Sequence, residues 1–204
     1  MSKDIRLGII GSAGRKDDAP KVCWGLYHSM IQKAKDTMHV LAAEHDMYTM
    51  CLVSGGAAFA DHIAVALFME GDVLELELKL PCQFDPSRKR FVEGAGGFSS
   101  PGSTINFYHR KFSEALQFDS LNQLAAAMQK PGCFVRNADG FLARNTLVAE
   151  RSHALLAMTF GNGPIVKPGG TADTIRKFLA LPERGPAFHM DLSQRLCYRN
   201  ARVA

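Results

Sequence analysis

The chain has 204 residues, of which 47% are hydrophobic and 22% are charged. A chain of this length and apolar content has enough core for one globular domain, so we expect a single domain over residues 1–204. No segment approaches the length of a membrane span, and the apolar run Leu7–Ile10 is too short for the core of a secretion signal. We therefore expect a cytoplasmic protein without a membrane partner.

Net charge indicates which ligands to expect, and the cysteine and histidine patterns indicate whether to expect disulfides or metals. The formal net charge is +4 and the pI is near 8.8, which suits a phosphate ligand without requiring nucleic acid. The five cysteines form no CxxC pair and the seven histidines form no HExxH pattern. We therefore expect reduced thiols, no structural metal and no cofactor.

The first third of the chain contains two strand-loop-helix units. An apolar strand at Ile5–Ile10 ends in the loop Gly11–Gly14, and apolar residues at helical spacing predict a helix from about Pro20 to His45. A second strand at Met50–Val53 is followed by a Ser-Gly-Gly turn and another helix. This repetition is typical of an α/β architecture.

The middle of the chain has weaker periodicity. The segment Val73–Leu78 alternates leucine with Glu75 and Glu77, which predicts a half-exposed strand near a sheet edge. Residues 81–104 are rich in Gly, Pro and Ser, and we expect a less regular insertion near residues 85–135. Two helices are predicted inside it, at Ser103–Leu116 with Ser103 as the cap and at Ser120–Gln129.

The last third resumes the alternation. The sequence FLARNTLVAERS predicts a helix that leads into an apolar strand at Ala154–Phe160. The corner Gly169–Thr171 precedes a helix to about Leu179, and AFHMDL predicts a last strand. Alternating strands and helices with long crossovers predict an α/β fold, with a mainly parallel sheet of about five to seven strands flanked by helices.

Three glycine-containing corners each follow a predicted strand, at residues 11–14, 54–56 and 169–171. The carboxyl ends of parallel strands share one edge of a sheet, and ligands bind there, so we expect the three corners to open on the same edge. Glycine lets the backbone approach a ligand closely, and a helix N-terminus offers free N–H groups to an anion. The expected anion is a phosphate.

Four motifs resemble the SLOG superfamily, which includes the YspA/YpsA-like, LOG and DprA/Smf proteins. They are GSAGR after the first strand, VSGGAAFAD after the second, RN in the helix before the late strand, and PGGTADTIR after that strand. The resemblance covers most of the chain outside residues 85–135. It implies a Rossmann-like domain that binds a nucleotide or a nucleotide-derived ligand at the carboxyl edge of the sheet.

Residue chemistry and the resemblance together select a candidate site. Ser12 and Arg15 suit a phosphate through a hydroxyl and a charged hydrogen bond, and Asp61 suits a ribose or a base. The alternative for each is an ordinary role in a turn or a helix start. The expected ligand-binding residues are Gly11, Ser12, Arg15, Ser54, Gly55, Gly56, Asp61, Asn145, Gly169, Gly170 and Thr171.

The LOG branch implies a chemistry, the hydrolysis of the N-glycosidic bond of nucleoside 5′-monophosphates. Laid against the LOG plan, Arg144 falls on the catalytic arginine and Asp173 lies near the catalytic acid, although PGGTADTIR lacks the inner glycine of the LOG signature PGGxGTxxE. The simpler alternatives are an ion pair between Arg144 and Glu150, and a helix-dipole contact for Asp173.

Three functions therefore stay open at the level of sequence. They are a nucleotide hydrolase, a non-catalytic nucleotide sensor, and a single-stranded DNA-binding protein of the DprA type. DNA binding is the least favoured, because the basic residues are dispersed along the chain. The relatives also imply a homodimer or a higher homo-oligomer.

Overall fold

The computed structural model describes residues 5–43, 49–92, 100–165 and 167–194. The strands in these ranges are β1 (Ile5–Gly11), β2 (Met50–Ser54), β3 (Glu75–Leu80), β4 (Phe84–Asp85), β5 (Arg90–Phe91), β6 (Cys133–Asn137), β7 (Ala154–Thr159) and β8 (Ala187–Asp191). The α-helices are α1 (Trp24–Ala43), α2 (His62–Glu70), α3 (Pro101–Leu116), α4 (Ser120–Gln129), α5 (Gly140–Arg151) and α6 (Gly170–Leu179). Short 3-10 helices lie at Lys16–Lys21 and Leu192–Gln194.

The main sheet of the described chain has six strands in the order β6-β3-β2-β1-β7-β8, and every neighbouring pair is parallel. Strands β4 and β5 form a separate antiparallel ribbon. The predicted α/β fold, a parallel sheet flanked by helices, is confirmed.

Helices cover both faces of the sheet, because each central strand sends alternate residues to opposite sides. Leu7 and Ile9 of β1 pack into a larger core that includes apolar residues of α1 and α2. Ile10 packs into a smaller core with Ile175 and Phe178 of α6. Burial of each such side chain contributes about 1.5–3 kcal/mol, so both layers hold the sheet in place.

The chain changes face between β1 and β7, which are neighbours at the centre of the sheet. Strand β1 leads to α1 on the side of the larger core, whereas β7 leads to α6 on the side of the smaller core. Ligands of open parallel sheets bind at such a switch point, outside the carboxyl ends of the strands. The topology therefore places the candidate site between the loops that follow β1 and β7.

The first helix begins later than predicted. Pro20 lies inside the 3-10 helix Lys16–Lys21, and Val22 then has an extended backbone with φ −69° and ψ 118°. This extended residue separates the two helical segments, so α1 starts at Trp24. The predicted end at His45 lies outside the described residues.

Strand β3 is neither half-exposed nor at the edge, contrary to prediction. It lies between β2 and β6, and Glu77 is only 6% exposed. The side chains of Arg6, Lys79 and Arg151 all donate to the Glu77 carboxylate. These ion pairs let a charged face be buried under α5, which the alternating pattern alone does not reveal.

Helices and short strands make up most of the part of region 85–135 that the structure describes. Helix α4 has the predicted bounds, and α3 is capped by Ser100, whose hydroxyl accepts from the backbone N–H of Ser103 at 3.3 Å. The prediction of Ser103 as the cap is therefore wrong. Strand β6, which starts at Cys133, adds the edge strand to the sheet.

Two further expectations bear on the class of protein. Cys51, Cys82 and Cys133 are free thiols, as predicted, whereas Cys23 is disulfide-bonded and departs from the prediction. Among the helices in the described ranges, none combines the length and the apolar character needed to cross a bilayer.

Candidate functional site

A cavity of about 490 Å³ opens at the carboxyl ends of β1 and β7, at the switch point of the sheet. Its wall is formed mainly by the loop after β1, the middle of α5 and the glycine corner that begins α6. Nine of the predicted site residues belong to this wall: Gly11, Ser12, Arg15, Asp61, Arg144, Asn145, Gly169, Gly170 and Thr171. The other four, Ser54, Gly55, Gly56 and Asp173, do not.

Asp61 joins the first two corners. Its Oδ1 accepts the backbone N–H of Gly11 at 3.0 Å, and its Oδ2 accepts Nη1 of Arg144 at 3.2 Å. Burial raises the pKa of Asp61, while Arg144 and backbone N–H groups oppose that rise. The carboxylate is thus occupied by protein donors and fixes the position of Arg144.

The corner Ser54–Gly56 lies behind the wall instead of contacting the cavity, which differs from the predicted role as a ligand cradle. The carbonyl of Gly55 accepts Nη1 of Arg144 at 3.0 Å, and the Ser54 hydroxyl donates to the carbonyl of Asp61 at 2.8 Å. A Cβ atom at Gly55 would lie 1.8 Å from Nη1 of Arg144. Glycine is therefore needed here so that the arginine, and not a ligand, can approach the backbone.

Arg144 is the buried cation of the cavity wall, and its residue is only 8% exposed. Nη1 is bonded to Gly55 and Asp61, but Nε is buried without a hydrogen-bond partner among the described residues. Nη2 reaches towards the third corner, since a Cβ at Gly170 would lie 3.9 Å from it. The predicted alternative, a pair with Glu150, is absent from the described contacts, because Asp61 takes that place.

Arg15 supplies a second cation to the wall. Its guanidinium lies 4.6 Å from the centre of the Tyr108 ring, and within the described part of the chain it pairs with no carboxylate. Burial lowers the pKa of Arg144, Asp61 raises it, and the nearby charge of Arg15 lowers it further. Two neighbouring cations, of which only Arg144 pairs with a carboxylate of the described chain, favour an anion in the space that both border.

The third corner is the N-terminus of α6. No side chain caps this helix, so the first N–H groups lack the usual partner, and Gly169, Gly170 and Thr171 all line the cavity. The Thr171 hydroxyl donates to the carbonyl of Gly11 at 2.9 Å and so ties this corner to β1. The three glycine corners therefore meet at one edge of the sheet, as predicted.

Asp173, the predicted catalytic acid, points to different partners. Its Oδ2 accepts Nδ2 of Asn145 at 2.9 Å and Nζ of Lys177 at 2.8 Å. Burial would raise the pKa of Asp173, but these hydrogen bonds outweigh it and hold the pKa below its ordinary value. Asp173 thus links α6 to the middle of α5 from outside the cavity wall.

Several residues of the site carry no prediction from sequence. His109 lies under the second corner, with Nε2 3.0 Å from the carbonyl of Gly56, and burial lowers its pKa to about 4. Lys167 and Asp18 line the cavity and pair with each other. Lys167 lies just before the corner that is predicted to bind a phosphate, so its position in the sequence was a usable signal. The contact of His109 with Gly56 joins residues far apart in the chain, and no local sequence pattern indicates it.

No group of three or more His, Cys, Asp and Glu side chains is arranged to hold a metal ion in the part of the chain that the structure describes.

Comparison with known proteins places the chain in a family. No family model matches it. It is 38% identical over 175 residues to the uncharacterized protein R261 of Acanthamoeba polyphaga mimivirus, a match that spans 85% of this chain and 90% of the viral protein. The chain therefore belongs to the same protein family as R261, a family defined here by sequence and not by a known activity.

Proposed function

We propose that the cavity binds a nucleoside 5′-monophosphate or a closely related nucleotide, as a SLOG-type domain would. The observation that carries the proposal is Arg144, a buried cation on the cavity wall whose Nε has no partner in the described chain. Burying an incompletely paired charge costs free energy, and an anionic ligand offsets that cost.

Phosphate is the anionic group that best fits the surroundings of Arg144. The uncapped N-terminus of α6 offers backbone N–H groups to a phosphate. Arg15 borders the same cavity and has no carboxylate partner among the described residues. The volume of about 490 Å³ lies within the range of about 300–1,000 Å³ that is usual for small-molecule sites.

Binding is favoured over hydrolysis. Asp173 does not belong to the cavity wall, and Asp61, which does, is occupied by Gly11 and Arg144. A general base needs a free lone pair within reach of the reacting water or sugar. We therefore propose a nucleotide sensor or carrier.

Calorimetry and thermal unfolding with AMP, GMP, CMP and UMP test the proposal. A ligand at one hundred times its Kd adds about 2.7 kcal/mol to the free energy of unfolding, so at least one nucleotide should raise the melting temperature. Arg15→Gln should weaken that binding about tenfold, because a charged hydrogen bond is lost.

Arg88→Gln is the matched control. Arg88 is 71% exposed at the side chain and lies outside the cavity wall, so this variant should bind like the wild type. Absence of binding by all four nucleotides would overturn the proposed function. Equal binding by the Arg15 and Arg88 variants would instead show that the nucleotide sits elsewhere.

A further inference from the structure

An ion pair joins the two loops that flank the cavity. Nζ of Lys167, in the loop before α6, lies 3.1 and 3.0 Å from the two carboxylate oxygens of Asp18, in the 3-10 helix after β1. Both residues line the cavity. Asp18 is buried, whereas the Lys167 side chain is 59% exposed.

Asp18 also holds a second lysine. Nζ of Lys21 lies 3.0 Å from Oδ1 of Asp18 and 4.8 Å from the centre of the Phe160 ring. Lys21 is not part of the cavity wall, whereas Lys167 is. The buried carboxylate therefore keeps a cationic partner when Lys167 moves away.

We propose that Lys167 leaves Asp18 on ligand binding and donates to the phosphate of the nucleotide, so that the pair with Asp18 is the resting position of a phosphate-binding lysine. This inference rests on the proposed function of the cavity.

The position and chemistry of Lys167 favour this exchange. The residue directly precedes Pro168 and the corner Gly169–Gly170, where the proposed phosphate lies. A lysine has a long flexible stem and three donors, and an exposed ammonium stays hydrated in both positions, so the movement has a small cost. Phosphate oxygens are strong acceptors, whereas the carboxylate of Asp18 is already shared with Lys21.

Four variants measured by calorimetry at fixed ionic strength test the exchange, with whichever of AMP, GMP, CMP and UMP binds the wild type tightest. Lys167→Gln should weaken binding about fivefold, and Lys21→Gln, the matched control on the same carboxylate, should change it less than about twofold. Asp18→Asn should tighten binding about two- to fivefold, because Lys167 is released. In the double variant Asp18→Asn/Lys167→Gln the gain should vanish, leaving the affinity of Lys167→Gln alone.

Two results would overturn the exchange while the proposed function stands. One is a Lys167→Gln variant that binds like the wild type. The other is a gain from Asp18→Asn that persists in the double variant, because the carboxylate then merely repels the ligand. The melting temperature of each variant, measured in the absence of nucleotide, shows whether the variant is folded. Lys167→Gln alters an exposed side chain. A wild type that binds none of the four nucleotides overturns both proposals, and this result is seen before any variant is made.

Discussion

Gly55 lies so close to the Arg144 guanidinium that its missing side chain decides how the arginine is placed. In Gly55→Ala, the new Cβ would lie 1.8 Å from Nη1 of Arg144 and 2.8 Å from Oδ2 of Asp61. We expect the free energy of unfolding to fall by about 2 kcal/mol, because the buried arginine must shift from its acceptors. Urea denaturation measures this.

Gly170→Ala is the control for that prediction. A Cβ at Gly170 meets Asn145 at 3.6 Å, an ordinary contact. The control should change the free energy of unfolding by less than about 0.5 kcal/mol. Equal losses for the two variants would contradict a special role for Gly55.

Asp173→Asn tests whether the acid suggested by the LOG resemblance is catalytic. The carboxylate bonds Asn145 and Lys177 outside the cavity wall, so we expect nucleotide affinity to change less than about twofold. We also expect neither the wild type nor the variant to release free base from nucleoside monophosphates. Base release by the wild type that Asp173→Asn abolishes would contradict the proposed role as a sensor or carrier and support hydrolysis.

At the scale of residues, the sequence identifies which strand ends carry the site but not which side chains face the ligand. The positions Arg15, Arg144 and Gly170 line the cavity as expected. Gly55 does not, because a residue at a strand end can lie in front of the wall or behind it. That choice depends on the long-range contact between Gly55 and Arg144, which are 89 residues apart.

At the level of elements, Glu77 of β3 links three parts of the fold, because it accepts hydrogen bonds from Arg6 of β1, Lys79 of β3 and Arg151 of α5. Burial would raise the pKa of Glu77, but hydrogen bonds from Arg151, Lys79 and Arg6 lower it from 4.5 to about 2. A carboxyl whose pKa is lower in the folded state stabilises the fold fully above pH 4.5, and this stabilisation is lost as the pH falls towards 2. Glu77→Gln should therefore reduce the free energy of unfolding by about 3 kcal/mol at pH 7, since three cations lose their shared partner.

Denaturation curves between pH 7 and pH 2 check the sign of that effect. The difference between the wild type and Glu77→Gln should shrink as the pH falls below 4.5. Glu75→Gln, on the same strand and outside the ion pairs of the described chain, should show a small difference at every pH. A Glu77→Gln difference that does not depend on pH would contradict the assignment.

Elements with strong local signals are predictable from sequence, and those stabilised by distant partners are not. Helix α4 has its predicted bounds because an aspartate cap and a Pro-Gly stop are adjacent to it. Strand β6 has only the three apolar residues Cys133–Val135 before Arg136 and Asn137, a run too short to predict a strand, so its pairing with β3 is needed to reveal it. Strand β3 is predicted as a strand, but its burial is not, because that burial depends on Arg151 far along the chain.

At the scale of the whole molecule, single-stranded DNA binding is the rival role. Continuous basic surfaces bind DNA tightly and with a steep dependence on salt, whereas here several cations are paired, including Arg144 with Asp61 and Lys167 with Asp18. The affinity of such a surface for DNA falls by about 10³-fold or more between 50 and 200 mM salt. We expect gel shifts at both salt concentrations to show only weak complexes. A tight complex that the higher salt dissolves would favour the rival.

The assembly and the superfamily assignment stay predictions. Sedimentation of the full chain measures the expected homodimer or higher homo-oligomer directly. The relationship to the mimivirus protein R261 extends over 85% of this chain and 90% of the viral protein.

A crystal structure of the protein soaked with the tightest-binding nucleoside 5′-monophosphate would locate the phosphate and so test the proposed binding site. We expect the phosphate in the cavity between β1 and β7, within about 2.7–3.2 Å of an Arg144 nitrogen and of the N–H groups that begin α6. A nucleotide bound at another surface, or an empty cavity at saturating nucleotide, would contradict it.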